Sequence, residues 1–167
     1  RISIPRLIKD GFNIISITSG EVTHRDLVIT GVPGDDAQIG VEIGSGYKGR
    51  ILLENCTFSG RKHPAAINIA EDCEVVISVS GENKLMDGGI RVASTSTLIF
   101  EGDGKLAINV TGKEAFGIGN DMGSYHGDLV FDQDGLIDIT INASKGIDIG
   151  SGLGGHTSIR RGAYKLN

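Results

Sequence analysis

Asn120, Asp121, Asp128, Asp132 and Asp134 place five oxygen-bearing side chains within one short stretch. Oxygens gathered near a turn suit a hard cation, because Ca²⁺ takes roughly six to eight of them, backbone carbonyls included. The five are therefore candidate Ca²⁺ ligands. Their spacing is not that of an EF-hand loop, and Asp132-Gln133-Asp134-Gly135 reads equally well as an ordinary turn. Gly34-Asp35-Asp36 reads as a solvated loop. His24, His126 and His156 each stand three residues before an apolar run, at Leu27, Leu129 and Ile159. Stacked on successive rungs, His126 and His156 would form a metal pair or a general acid/base; a plain stacking ladder at a turn is the simpler reading. Tyr125 offers a ring to stack on a sugar, and Asn109, Asp138, Asn142 and Asp148 offer hydrogen bonds to its hydroxyls. Glycoside hydrolysis needs two carboxyl groups ~5–9 Å apart over one groove. A polar ladder supplies many such pairs by geometry alone, Asp128 with Asp138 or Asp148 among them. A lyase acting on uronic acids would want basic residues such as Arg160, Arg161, Lys165, Arg61 or Lys62, and none of these sits in a recognisable motif. The chain carries no nucleophile elbow, phosphate loop or zinc signature.

The elements that position these residues are set by a repeat. Ile43-Gly44-Ser45-Gly46, Ile118-Gly119-Asn120-Asp121 and Ile149-Gly150-Ser151-Gly152 echo one another, and residues 104–119 align without a gap on residues 135–150. Self-similarity at such a period marks a coiled array. Apolar triplets supply a first strand per coil: Val41-Glu42-Ile43, Ile67-Asn68-Ile69, Ile90-Arg91-Val92, Phe116-Gly117-Ile118 and Ile147-Asp148-Ile149. A second strand follows each, at Ile51-Leu52-Leu53, Val75-Val76-Ile77, Leu98-Ile99-Phe100, Leu129-Val130-Phe131 and, more weakly, Ile159-Arg160-Arg161. A third is clear at 106–110 and 137–141. Short strands separated by Gly, Asn, Asp and Ser predict an all-β, right-handed parallel β-helix, a solenoid of about six coils with three short sheets. A β-sandwich would show hairpin turns and no gapless copy. Residues 1–167 read as one domain, with residues 1–25 as an N-terminal cap or cover.

Side chains alternate in and out along a strand, so the outer faces can be written as columns. Outside the first strand stand Glu42, Asn68, Arg91, Gly117 and Asp148, all polar or small. Outside the second stand Val28, Leu52, Val76, Ile99 and Val130. An apolar column on the outer face of a sheet predicts a cover, either residues 2–17 or a neighbouring domain or subunit acting as partner.

Composition narrows the function. Glycine is 26 of 167 residues, proline 3, and tryptophan absent, with apolar content carried by Ile, Val and Leu; this is a strand-rich chain with many turns. A net charge of −5 leaves no basic stripe for phosphates, so nucleic acid is excluded as a partner. The apolar runs are too short to predict a membrane span. Cys56 and Cys73 do not fall at equivalent rung positions, so two separate buried thiols are expected, with a bridge as the alternative.

The run Ala115-Phe116-Gly117-Ile118-Gly119, Gly127-Asp128-Leu129-Val130-Phe131, Gly135-Leu136-Ile137-Asp138-Ile139 and Gly146-Ile147-Asp148-Ile149-Gly150 resembles the Gly-Ile-Gly repeats of bacterial cell-surface β-helix proteins. It is also similar to carbohydrate-binding β-helix domains of the pectate-lyase-like group. The resemblance spans about residues 40–160 and implies an extracellular or cell-surface module that binds a polysaccharide or other glycan, with Ca²⁺ assisting. A lyase or glycoside hydrolase working on the same outer face is the alternative, and a structural stalk or adhesin segment a third. No catalytic residue of the group can be placed on this chain.

Overall fold

The structure, a computed structural model, describes residues 1–18, 26–34, 37–60, 65–150 and 155–167, and within these leaves the side chains of residues 113, 114 and 144 aside. His24, Asp35, Asp36, Arg61, Lys62 and the Ser151-Gly152 part of the repeat lie outside the described residues. In chain order the elements are β1 (Ile2–Ser3), α1 (Ile4–Lys9), β2 (Ile14–Ile17), β3 (Leu27–Thr30), β4 (Gly40–Ile43), β5 (Lys48–Glu54) and β6 (Thr57–Ser59). There follow β7 (Ile67–Ile69), β8 (Glu74–Ser80), β9 (Glu82–Met86), β10 (Ile90–Val92), β11 (Thr97–Gly102), β12 (Lys105–Gly119), β13 (Asp128–Gly150) and β14 (Thr157–Leu166).

All strand pairs are parallel, and they wind into a β-solenoid of about six turns. One inward column per face traces the winding. On the first face Ile15, Val41, Ile67, Ile90, Ile118 and Ile149 stack in register. On the second, Ile51, Ile77, Phe100, Phe131 and Ile159 stack; on the third, Phe58, Leu85, Ile108, Ile139 and Leu166. Strand β13 runs through all three faces, its start on the second, its middle on the third and its end on the first. These columns, buried away from water over most of their length, are the hydrophobic core. Phe100 and Phe131 stack with ring centroids 5.3 Å apart, and Tyr164 meets Phe131 edge-on at 5.7 Å.

The first end of the core is closed by α1. Pro5 sits in its first turn, where the missing N–H is harmless, and Ile4 is fully buried with Leu7 and Ile8 packed against the core. Strands β1 and β2 join the sheets edge to edge as rungs; the segment does not lie across the apolar outer face.

Each rung's corners leave backbone groups that no ladder satisfies, and side chains on the next rung take them. The Cys56 N–H donates to Asn83 Oδ1 at 2.8 Å, Asn83 Nδ2 donates to the Ser80 carbonyl at 2.9 Å, and the Cys73 N–H donates to Ser96 Oγ at 2.9 Å. Asn83→Ala would orphan a buried N–H, so it is expected to cost about 1–3 kcal/mol, read as a lower urea midpoint with unchanged m. Both cysteines are free and buried. The Cys56 thiol donates to the carbonyls of Ile29 and Glu54, and burial pushes its pKa up to about 11, which makes it an inert structural thiol.

The register differs from the triplet alignment at three steps, each time by two residues. Ile90 pairs with Ile118 rather than Phe116, Ile51 with Ile77 rather than Val75, and Ile159 with Phe131 rather than Leu129. A shift of two keeps every side chain on its own face, so the apolar pattern tolerates it; a shift of one would not be tolerated. The gapless copy is reproduced as aligned, from Leu106 opposite Ile137 to Gly119 opposite Gly150.

Candidate functional site

The register step at β10 keeps Asp148 out of the outward column of the first face. Glu42, Asn68 and Arg91 are stacked as outward neighbours, but the next positions in that column are Gly119 and Gly150, not Gly117 and Asp148. With no side chain beyond Arg91, space remains above it, and the loop of residues 120–127 folds over this space. The result is a groove of about 600 Å³ whose walls include Asn68, Glu71, Arg91, Asn120, Asp121 and Tyr125.

Local bonds hold the loop in place. Asn120 Nδ2 donates to the Tyr125 carbonyl at 2.9 Å, Asn120 Oδ1 accepts from the Asp121 N–H at 2.8 Å, and the Ser124 N–H donates to the Asp121 carbonyl at 3.1 Å. Arg91 Nη2 pairs with Asp121 Oδ2, joining the loop to the sheet. Across the groove, Glu71 Oε2 accepts from Thr95 Oγ1 at 2.7 Å, and Asn68 Nδ2 donates to Glu42 Oε2 at 2.8 Å. Asn68 Oδ1 and Arg91 Nε are enclosed without a hydrogen-bond partner. Tyr125 is 58% exposed, so much of its side chain is open to solvent. At the loop's base Gly127 lies so close to the Ser96 carbonyl that any Cβ would collide with it, which is why the chain can turn tightly there into β13.

The other residues singled out from the sequence are dispersed. His126 and His156 are not stacked neighbours: the register puts Leu129 beside Thr157. His126 is buried at the loop base against Gly155, with Nδ1 beside the Gly127 carbonyl, whereas His156 is exposed. Asp148 lies opposite Gly117, off the groove column; its Oδ1 is enclosed without a partner, and burial raises its pKa. Asn109, Asp138 and Asn142 are on the third face, where Asn109 Nδ2 points at Met86 Sδ (3.7 Å) and Asp138 Oδ1 accepts from Asn167 Nδ2 (3.4 Å).

The five candidate Ca²⁺ ligands are likewise divided. Asn120 and Asp121 belong to the groove, Asp128 is exposed at the start of β13, and Asp132 and Asp134 sit at the corner between the second and third faces. There Arg161 pairs with Asp132 at 2.9 Å and with Asp134 at 3.2 Å. Among the described residues no three His, Cys, Asp or Glu side chains gather as a metal site.

The apolar column of the second face is two shorter runs. Val28 neighbours Leu52, then Ser78; Val76, Ile99 and Val130 form the other run, which Arg50 precedes and Ser158 follows. Arg50 spans the step, with Nη1 3.5 Å from Asp26, Nε 3.6 Å from Glu101 and Nη2 donating to Ser78 Oγ at 3.3 Å. No helix among the described residues is long and apolar enough to cross a membrane.

Arg91 enters the sequence analysis only as one member of the polar column, and Glu71 not at all, although both line the groove. A lone cation in the column of Glu42 and Asn68 is visible in the sequence, but its pairing with Asp121 depends on where the long loop lands. Compared with protein-family models, with curated proteins and with solved structures, the chain matches none.

Proposed function

We propose that this chain is a carbohydrate-binding module of a secreted or cell-surface protein, and that the sugar lies in the first-face groove. The observation that carries this reading is the convergence of an exposed tyrosine ring with amide and carboxylate groups along one open wall. A sugar ring offers an apolar C–H face, which an aromatic ring covers, and hydroxyls that carboxylates and amides bind. The volume falls within the range of small-molecule sites, ~300–1,000 Å³. In the complex, Tyr125 stacks on the ring while Asp121, Glu71 and Asn120 accept from or donate to the hydroxyls. The first-face groove lies on a rigid sheet beneath a bonded loop, so little order has to be gained on binding. The extracellular setting rests on the resemblance of the Gly-Ile-Gly runs to surface β-helix repeats.

A glycan panel read by calorimetry tests this. Tyr125→Ala should weaken binding at least about tenfold, while Tyr125→Phe keeps most of it, because stacking rather than the hydroxyl supplies the contact. The melting temperature should not move, since the ring is outside the core. Equal affinity of Tyr125→Ala and the parent would remove the groove from the reading. Release of unsaturated or reducing products from polygalacturonate would replace binding with catalysis.

A further inference from the structure

We infer that the first-face groove selects a sugar carrying free, protonated amines, such as an oligomer of glucosamine, and rejects uronic acids. This deepens the carbohydrate-binding reading and rests on it. Two carboxylates line the groove, and each is held by one oxygen with the other left open. Thr95 Oγ1 accepts from the Asp72 N–H at 2.9 Å and donates to Glu71 Oε2 at 2.7 Å. Glu71 is thereby fixed, and its Oε1 has no hydrogen-bond partner among the described residues. Asp121 Oδ2 is taken by Arg91 Nη2, which likewise leaves Oδ1 open. Both residues are exposed, so the two open oxygens are available to a donor without any rearrangement of the loop.

The lining has no uncommitted cation to set against them. Arg91 is the one basic side chain among the described residues of the groove; it is a quarter exposed and already tied to Asp121. Two carboxylates against one guanidinium leave the wall net negative, and Glu42 adds a further carboxylate beside Asn68 in the same column. Tyr125 acts in the same sense, because the face of an aromatic ring attracts a cation. Three sugar classes then separate. A uronate brings a like charge and finds no open basic group, which is unfavourable. A neutral sugar bonds through its hydroxyls but leaves the charge of the wall unmatched. An ammonium group carries three donors, and its bonds to carboxylates are the stronger, charge-assisted kind.

Calorimetry on the intact protein with length-matched oligomers of glucosamine, N-acetylglucosamine and galacturonic acid tests this. Below the pKa of its amines, the glucosamine oligomer should bind at least about tenfold more tightly than the acetylated one, since acetylation removes the charge and keeps the ring. The preference should shrink with added salt and vanish as the pH rises through the pKa of the ligand's amines. Glu71→Gln keeps the shape of the side chain and an acceptor for Thr95, and should cut the ratio of the two affinities at least about threefold. An equal or reversed ratio, or tightest binding of the galacturonate, with affinity still lost in Tyr125→Ala, overturns the amine preference and leaves the groove as the sugar site. Absence of Tyr125-dependent binding for all three oligomers overturns the preference and the groove reading together.

Discussion

Phe131→Ala is expected to lose about 3–5 kcal/mol of stability, the range for truncating a buried aromatic side chain. Phe131 is fully buried, stacks on Phe100 below it and meets Tyr164 above it. Removing the ring therefore opens a cavity and deletes two aromatic contacts at once. In a solenoid each rung contacts mainly its neighbours, so the loss is concentrated at one interface. The fall should appear as a large drop in the urea midpoint, accompanied by fast exchange of β14 amides while β4 and β7 stay protected. Uniform loss of protection along the whole chain would show instead that the rungs unfold as one unit. Phe131→Leu, which keeps most of the volume, should cost much less.

The second large effect is on binding. Arg91→Met is expected to reduce glycan affinity between about tenfold and a hundredfold, because a hydrogen bond to a charged group contributes ~1.5–3 kcal/mol. The guanidinium does this through Asp121: their ion pair joins the overhanging loop to β10, so its removal frees both the carboxylate and the loop that carries Tyr125. Asp121→Asn alone should weaken binding through the same route. If Arg91 acts by positioning, the double variant will be little worse than either single one, since the coupled residues fail together. Additive losses would mean that Arg91 and Asp121 contact the sugar independently. Arg91 is only a quarter exposed, but methionine can fill the volume of its stem, so the melting temperature should change little.

How far the sequence reaches is clearest at particular residues. The copy of Leu106 to Gly119 that recurs 31 residues later is legible because both strands run the same course around the coil, and the structure pairs them in that register. The inward columns are legible too, since Ile, Val, Leu and Phe alternate with polar or small residues at each rung. The groove is not. A glycine stands beyond Arg91 in either register, but the two-residue step puts Gly150 rather than Asp148 after it and so leaves the column without a side chain. The His126–His156 stack fails for the same reason, and the acidic group of five disperses because Arg91 and Arg161 engage its members at separate corners.

By itself, then, the sequence determined which face of each strand is buried, and with that the solenoid, its approximate number of turns and the identity of its core. Alternation has a period of two, so a pattern of apolar residues specifies parity and nothing finer. Tertiary structure decided the register, because the lengths and bonds of the corners choose among alignments that differ by two and that the core cannot tell apart. Outward residues become neighbours only through that choice. It kept Asp148 out of the column beyond Arg91, brought Asp121 and Tyr125 over that space, and sent the histidines elsewhere.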